Sequence, residues 1–170
     1  MPVGTTLRQL IERAGGVRDG RPLQAVLLGG AAGSFLTPAE IDVPLTFEGT
    51  RAIGASLGSG VVLLLDDTVD LWDQVLRIAA FFRDESCGQC VPCRVGTARQ
   101  EEALQRIRSG RTIGSRADEF HLFADLAQVM RDASICGLGQ TAAGAAQSAL
   151  EKGLIGGRPA ASGSGAGGSR

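Results

Sequence analysis

Apolar residues recur along this chain at two different periods. Near the start, Leu7, Leu10, Ile11 and Ala14 fall on one face at helical spacing. Thr5 or Thr6 can cap that helix and Gly15-Gly16 can stop it. Two compact apolar runs, Leu23–Leu28 closed by Gly29-Gly30 and Gly60–Leu65 closed by Asp66-Asp67, read as strands. Pro38, Pro44 and several glycines between them indicate short strands and turns. From Thr68 onward the period is helical throughout. Val69, Trp72, Val75, Leu76, Ala79 and Phe82 outline one helix. Val95, Ala98, Leu104 and Ile107 mark a second over Arg94–Arg108, with Arg99, Gln100, Glu101, Glu102 and Arg106 as its polar face. Ser115 and Asp118 have capping-box spacing before Phe120, Phe123, Leu126, Ala127 and Met130, a third helix. The Ala-rich stretch Thr141–Lys152 is a fourth. The predicted class is α+β. A small unit over residues 1–67, marginal on its own, precedes an antiparallel four-helix bundle over 68–152. Residues 153–170, rich in Gly, Ser and Ala, are expected to be a disordered tail.

Composition narrows the function classes. The chain has 170 residues, 44% of them apolar, enough for a core of one domain or two small ones. With 17 Lys+Arg against 18 Asp+Glu, the net charge is -1. That argues against a general nucleic-acid binder or an anionic-membrane binder, which need a basic excess. Six Phe, one Trp and no Tyr leave few platforms for stacking bases. No apolar run approaches the roughly 20 residues of a membrane helix, and no secretion signal is visible, so no direct membrane insertion is expected. The default is a cytoplasmic protein, where four cysteines read as ligands or nucleophiles before disulfides.

Those cysteines are the most informative feature. Cys87, Cys90 and Cys93 stand at C-x2-C-x2-C spacing around Gly88 and Pro92, immediately before the Arg94–Arg108 helix. Cys136 is the remaining thiol, beside Gly137-Leu138-Gly139. A [4Fe–4S] cubane takes four thiolates, one per iron, and a division of three plus one suits it. Glycines such as Gly137 let backbone approach a bulky cluster and offer N–H groups to its sulfides. The positive end of the following helix and the Arg94 cation favour the reduced, more negative state and so raise its potential. Four-Cys zinc is the chemical rival, giving a zinc-stabilised interaction domain without a redox role. Zinc sites usually pair one C-x2-C with another, which fits a triplet plus a distant singlet less well. A thioredoxin-like redox pair lacks its βαβ setting and leaves two cysteines unexplained. Four unrelated buried cysteines would leave the triplet's regular spacing without a reason.

The residues also carry a family resemblance. Glu85-Ser86-Cys87-Gly88-Gln89-Cys90-Val91-Pro92-Cys93-Arg94-Val95-Gly96-Thr97, followed by Ile135-Cys136-Gly137-Leu138-Gly139-Gln140-Thr141, resembles the C-terminal part of the flavoprotein subunit of NADH dehydrogenases. That family includes respiratory complex I and the diaphorase subunits of NAD-dependent formate dehydrogenases and hydrogenases. Val3-Gly4-Thr5-Thr6-Leu7, Ala14-Gly15-Gly16-Val17 and Gly58-Ser59-Gly60 resemble its β-grasp SLBB domain, here starting one strand late. Gly137 and Gln140 look more like the formate dehydrogenase and hydrogenase branch. The resemblance implies that Cys87, Cys90, Cys93 and Cys136 ligate one [4Fe–4S] cluster, with Arg94 and Gly137 beside it. It implies an electron-transport component of an oxidoreductase, taking electrons from FMN after hydride transfer from NADH. FMN and NAD are expected only on a partner chain or a domain absent from this sequence, because no glycine-rich flavin or nicotinamide loop is matched. The chain therefore reads as a fragment or a split subunit. Expected partners are a flavin/NADH-binding subunit and a further iron–sulfur acceptor subunit, in the cytoplasm or held at a membrane through a larger complex.

The remaining features have plainer readings. Gly29-Gly30-Ala31-Ala32-Gly33-Ser34 follows a strand, but it lacks the Lys-Ser/Thr of a phosphate loop and the G-x-G-x-x-G spacing, so it reads as a turn. His121 is the sole histidine and reads as packed or surface-exposed rather than as a ligand. Glu101-Glu102 reads as a solvated helix face. No nucleophile–base arrangement supports hydrolysis.

Overall fold

The computed structural model of the chain describes residues 4–157. Val3 of the first resemblance motif and residues 158–170 of the expected tail lie outside them. Helix α1 (Leu7–Arg13) starts at Thr6, whose hydroxyl accepts from the Gln9 N–H while the Gln9 side chain accepts from the Thr6 N–H. Strands β1 (Leu23–Leu28), β2 (Ser34–Leu36) and β3 (Val62–Asp66) form one sheet in the order β2-β1-β3, with both pairings antiparallel. A short helix α2 (Phe47–Ala52) lies in the β2–β3 connection. The glycine-rich run is the β1–β2 turn. A Cβ on Gly33 would lie 1.9 Å from the Leu28 carbonyl oxygen, so only glycine fits there.

The sheet has a core on each face, as the period of two in a strand requires. Ala25 and Leu27 of β1, Phe35 of β2 and Leu65 of β3 point one way, into a cluster with the helices that follow. Val26, Leu28 and Leu36 point the other way, onto Leu7 and Ile11 of α1 and onto Ile41 and Val43. Both faces are covered, which is why β1 reads as a continuous apolar run rather than an alternating one.

The helical half comprises α3 (Leu71–Asp84), α4 (Val91–Ser109), α5 (Arg116–Ala133), α6 (Gly137–Thr141) and α7 (Gly144–Glu151). Asp70 caps α3, and the Ser115/Asp118 capping box starts α5 as its spacing predicts. Helix α7 packs on β2, and the Ser148 Oγ accepts from the Phe35 N–H at 2.8 Å. None of the described helices is long and apolar enough to cross a membrane.

Three sequence expectations need correction. The stretch Thr141–Lys152 is not a single helix: α6 ends at Thr141 and α7 begins at Gly144. Gly144 sits against the β1–β2 turn, where a Cβ would lie 3.3 Å from the Gly33 carbonyl oxygen. Residues 153–157 are packed rather than tail-like, for Ile155 is buried and its N–H, like that of Leu154, donates to the Ala149 carbonyl. The buried stripe of α4 is Cys93, Gly96, Thr97, Gln100, Ala103, Leu104 and Ile107, while Val95 is exposed. Gln100, expected on the polar face, is buried and donates to the Ala142 carbonyl at 3.0 Å. Glu101, expected to be solvated, is buried in an ion pair with Arg83 of α3.

Candidate metal centre

Helix α4 begins inside the cysteine triplet rather than after it. Cys90 takes the extended N-cap conformation (φ -111°, ψ 142°), and Val91 and Pro92 open the helix. Proline suits that position because its fixed φ is helical and no hydrogen bond needs its missing N–H. Cys93 therefore lies in the first helical turn and is buried, whereas Cys90 is half-buried and Cys87 is exposed on the α3–α4 loop. Cys136 caps α6 in the same extended conformation and is exposed.

The packing brings the Cys136 loop against the triplet, although the two are distant in sequence. A Cβ on Gly139 of α6 would meet the Cys93 Cβ at 2.8 Å and the Ser134 Oγ at 2.3 Å. Gly139 is thus the glycine that lets α6 press onto the start of α4. Gly96 does the same between α4 and α5, where a Cβ would lie 2.5 Å from the Met130 Cγ. The Cys90 thiol is held below the ordinary thiol range, first by the Ile135 N–H and also by the Cys93 N–H, against the opposing effect of burial.

Arg94 and Gly137 sit beside these thiols. The Arg94 guanidinium donates to the Gly88 carbonyl at 3.4 Å, which lays it over the Cys87–Cys90 turn. Gly137 is exposed, and no atom lies within 4 Å of where its Cβ would be. Two hydroxyls flank the thiols. Ser86 Oγ stands 3.3 Å from Cys93 Sγ, and Ser134 Oγ is buried without a hydrogen-bond partner. Neither serine is given a role by the sequence, whereas Gly139 belongs to the glycine run beside Cys136. A glycine within a helical stretch is the one signal that could have flagged Gly96 and Gly139 as sites of close approach.

These residues fit an iron–sulfur cubane. Gly137 leaves open space beside Cys136, the buried Ser134 hydroxyl has no hydrogen-bond partner, and Cys90 and Cys136 stand at the starts of two helices that pack together. Among the described residues, no three His, Cys, Asp or Glu side chains converge on a point that could hold one metal ion. A zinc tetrahedron would draw its sulfurs within about 3.8 Å of one another, given Zn–S bonds of about 2.3 Å. A cubane instead binds each sulfur to a different iron and holds the thiolates apart. His121 is exposed on α5 and joins no such group.

Known proteins similar to this chain include iron–sulfur subunits. Residues 73–152 match the family described as the NADH-ubiquinone oxidoreductase-F iron-sulfur binding region, whose cofactor is a [4Fe–4S] cluster. The F subunit of the Mycobacterium tuberculosis NADH-quinone oxidoreductase is 38% identical over 150 residues, covering 88% of this chain and 33% of that protein. The HndC subunit of the NADP-reducing hydrogenase of Solidesulfovibrio fructosivorans is 38% identical over 146 residues, covering 83% of this chain and 28% of that protein. The crystal structure of an NAD+-reducing [NiFe]-hydrogenase in its H2-reduced state superposes with a TM-score of 0.73 at 31% identity. That match covers 88% of this chain and 24% of the hydrogenase chain. The chain spans about a third of the length of the curated relatives it matches. Over residues 73–152, the chain is similar to the NADH-ubiquinone oxidoreductase-F iron–sulfur binding region.

Proposed function

We propose that the chain is an electron-transfer module holding a single [4Fe–4S] cluster on Cys87, Cys90, Cys93 and Cys136. The observation that carries this reading is the seating of the Cys136 loop on the triplet, with Gly139 against Cys93. Three ligands from a loop and helix start, and one from a second helix start, are what the cubane needs. When bound, the cluster supplies one-electron oxidation and reduction without making or breaking bonds in a substrate.

The chain's own residues set the conditions for that exchange. Cys93 is buried and Cys87 and Cys136 are exposed, so one side of the site is closed and the other is open to a partner. Arg94 adds a cation over the Cys87–Cys90 turn, which favours the more negative redox state and raises the potential. Gly137 leaves room for the cluster's bulk beside its fourth ligand. The relatives are named as subunits of NADH-quinone oxidoreductase and of a hydrogenase. On that basis, the module relays electrons between a flavin and downstream iron–sulfur centres in an NADH dehydrogenase, or in a related formate dehydrogenase or hydrogenase, in the cytoplasm. FMN and NAD would reside on the flavin-bearing partner, and an iron–sulfur subunit would accept the electrons. The three-stranded sheet with α1 on one face supports reading the N-terminal segment as an SLBB-like β-grasp unit and α3 to α7 as the cluster-bearing bundle.

Anaerobic purification tests the reading. Brown protein with about four iron and four acid-labile sulfide per chain is expected, with an EPR signal on reduction. Colourless protein with one zinc would replace it by the zinc-stabilised interaction domain. Cys136→Ala is expected to lose or degrade the cluster, and a full cubane with unchanged spectra in that variant would refute the ligand assignment.

A further inference from the structure

Ser134 ends α5 and is 6% exposed, and its Oγ has no hydrogen-bond partner. A hydroxyl withdrawn from water without a partner is unfavourable, and such groups are rare in folded proteins. Its neighbours narrow what it can meet. Beside it stands Gly139, whose missing side chain leaves the hydroxyl and the Cys93 Cβ crowding the same point. The Ser134 carbonyl is already engaged, accepting from the Gln140 side chain at 3.0 Å, so the residue is fixed in place by α6. No protein group accepts its proton, and the Cys93 side chain is the ligand side chain crowded beside it.

Ser86 repeats the arrangement on the other side of the triplet. Its Oγ lies 3.3 Å from Cys93 Sγ and accepts from the Gly88 N–H at 3.4 Å. The Gly88 N–H takes one lone pair of the oxygen and leaves the O–H proton free to be given to a deprotonated sulfur beside it. A serine hydroxyl that gives its proton to a thiolate or sulfide stabilises added negative charge, and hydrogen bonds to the sulfurs are among the factors that set cluster potentials.

We infer that Ser134 and Ser86 are positioning residues whose hydroxyls donate to cluster sulfurs on the Cys93 side of the site and raise the reduction potential of the bound cluster. This rests on the cubane reading above. Neither residue ligates iron. Each acts by stabilising the reduced state more than the oxidised one, as a donor to a sulfur whose charge grows on reduction.

The test is redox titration of the whole anaerobically purified chain, followed by EPR, for the unaltered protein, Ser134→Ala, Ser86→Ala and Ser134→Cys. Each alanine variant is expected to keep its iron and sulfide content but to shift the reduced-to-oxidised equilibrium about tenfold toward oxidised, about 59 mV for one electron. Each should also lose an exchangeable proton coupled to the reduced cluster, read by ENDOR in H2O against D2O. Ser134→Cys keeps a weak donor of similar shape and is expected to fall between serine and alanine, and it serves if Ser134→Ala fails to assemble. An intact cluster with unchanged potential and unchanged exchangeable protons in these variants overturns the inference while leaving the cubane standing. Absence of iron and sulfide from the unaltered protein overturns both.

Discussion

Two glycines separated by a single residue make opposite demands on their surroundings. Gly139 is enclosed: a Cβ there would strike both Ser134 and Cys93. Gly137 is open, with nothing from the protein near the place its Cβ would take. Gly139→Ala should therefore cost about 1–3 kcal/mol by overpacking and should lower cluster occupancy as α6 lifts from α4. Gly137→Ala should leave the stability of the cluster-free chain within about 0.5 kcal/mol, because a surface change away from special contacts has little effect. Urea unfolding of both apo-variants, with iron analysis of the reconstituted proteins, separates the two cases. The cysteine spacing is legible in the sequence because three thiols at a fixed short interval point to a shared cofactor. The serines are not legible, because nothing in a string of residues tells a buried hydroxyl facing sulfur from one that ends a helix in water. Gly137 is legible as a glycine beside a ligand, but Gly139, two positions on, governs the packing.

Helix starts can be read from sequence better than helix phases. The cap of α1 falls on Thr6, one of its two candidates, and the capping box of α5 forms at Ser115 and Asp118, since a cap is a local exchange between a side chain and the backbone three residues on. The phase of α4 is not legible, because its inner face carries Gln100 and Glu101, which are polar yet satisfied in part by Ala142 and by Arg83. Apolar periodicity cannot reveal a face whose burial rests on such partners. The contact between α4 and α5 adds another. Glu119 is fully buried and binds Arg106 of α4, and it also accepts from the Ile113 N–H at 2.8 Å. The Arg106 hydrogen bond holds the Glu119 carboxyl below its ordinary range, against the opposing effect of burial. A carboxylate with a lowered folded-state value stabilises the protein above its unfolded value, and that stabilisation is lost as pH falls through the folded value. Glu119→Gln should thus be about 2 kcal/mol less stable than the parent at pH 7, below the cost for a fully buried pair because Arg106 is partly solvated. The gap should narrow as the pH drops below about 4.5. Urea midpoints of the two proteins at pH 7 and pH 4 measure it, and a gap that widens in acid would contradict the assignment.

At the scale of the molecule, the sheet and the helices share one of their two cores. Phe35 of β2 is fully buried among residues of α3, α4 and α7. Phe35→Ala should cost about 3–5 kcal/mol, and the fluorescence of Trp72 on α3 should report the loss in step with circular dichroism. Separate transitions for the two probes would mean that the halves unfold independently. The sequence changes its period near Asp67. It does not disclose that one face of the sheet serves the helical side, because an apolar residue in a strand gives no sign of which neighbour will cover it. The alternation along β1 then has a consequence for how this chain can vary. One residue inserted within Leu23–Leu28 would turn Ala25 and Leu27 toward α1 and send Val26 and Leu28 toward the helices, exchanging both interiors at a stroke. Length changes should accordingly be confined to the turns at either end of that strand, and related chains should differ there in loop size while keeping the strand's count fixed.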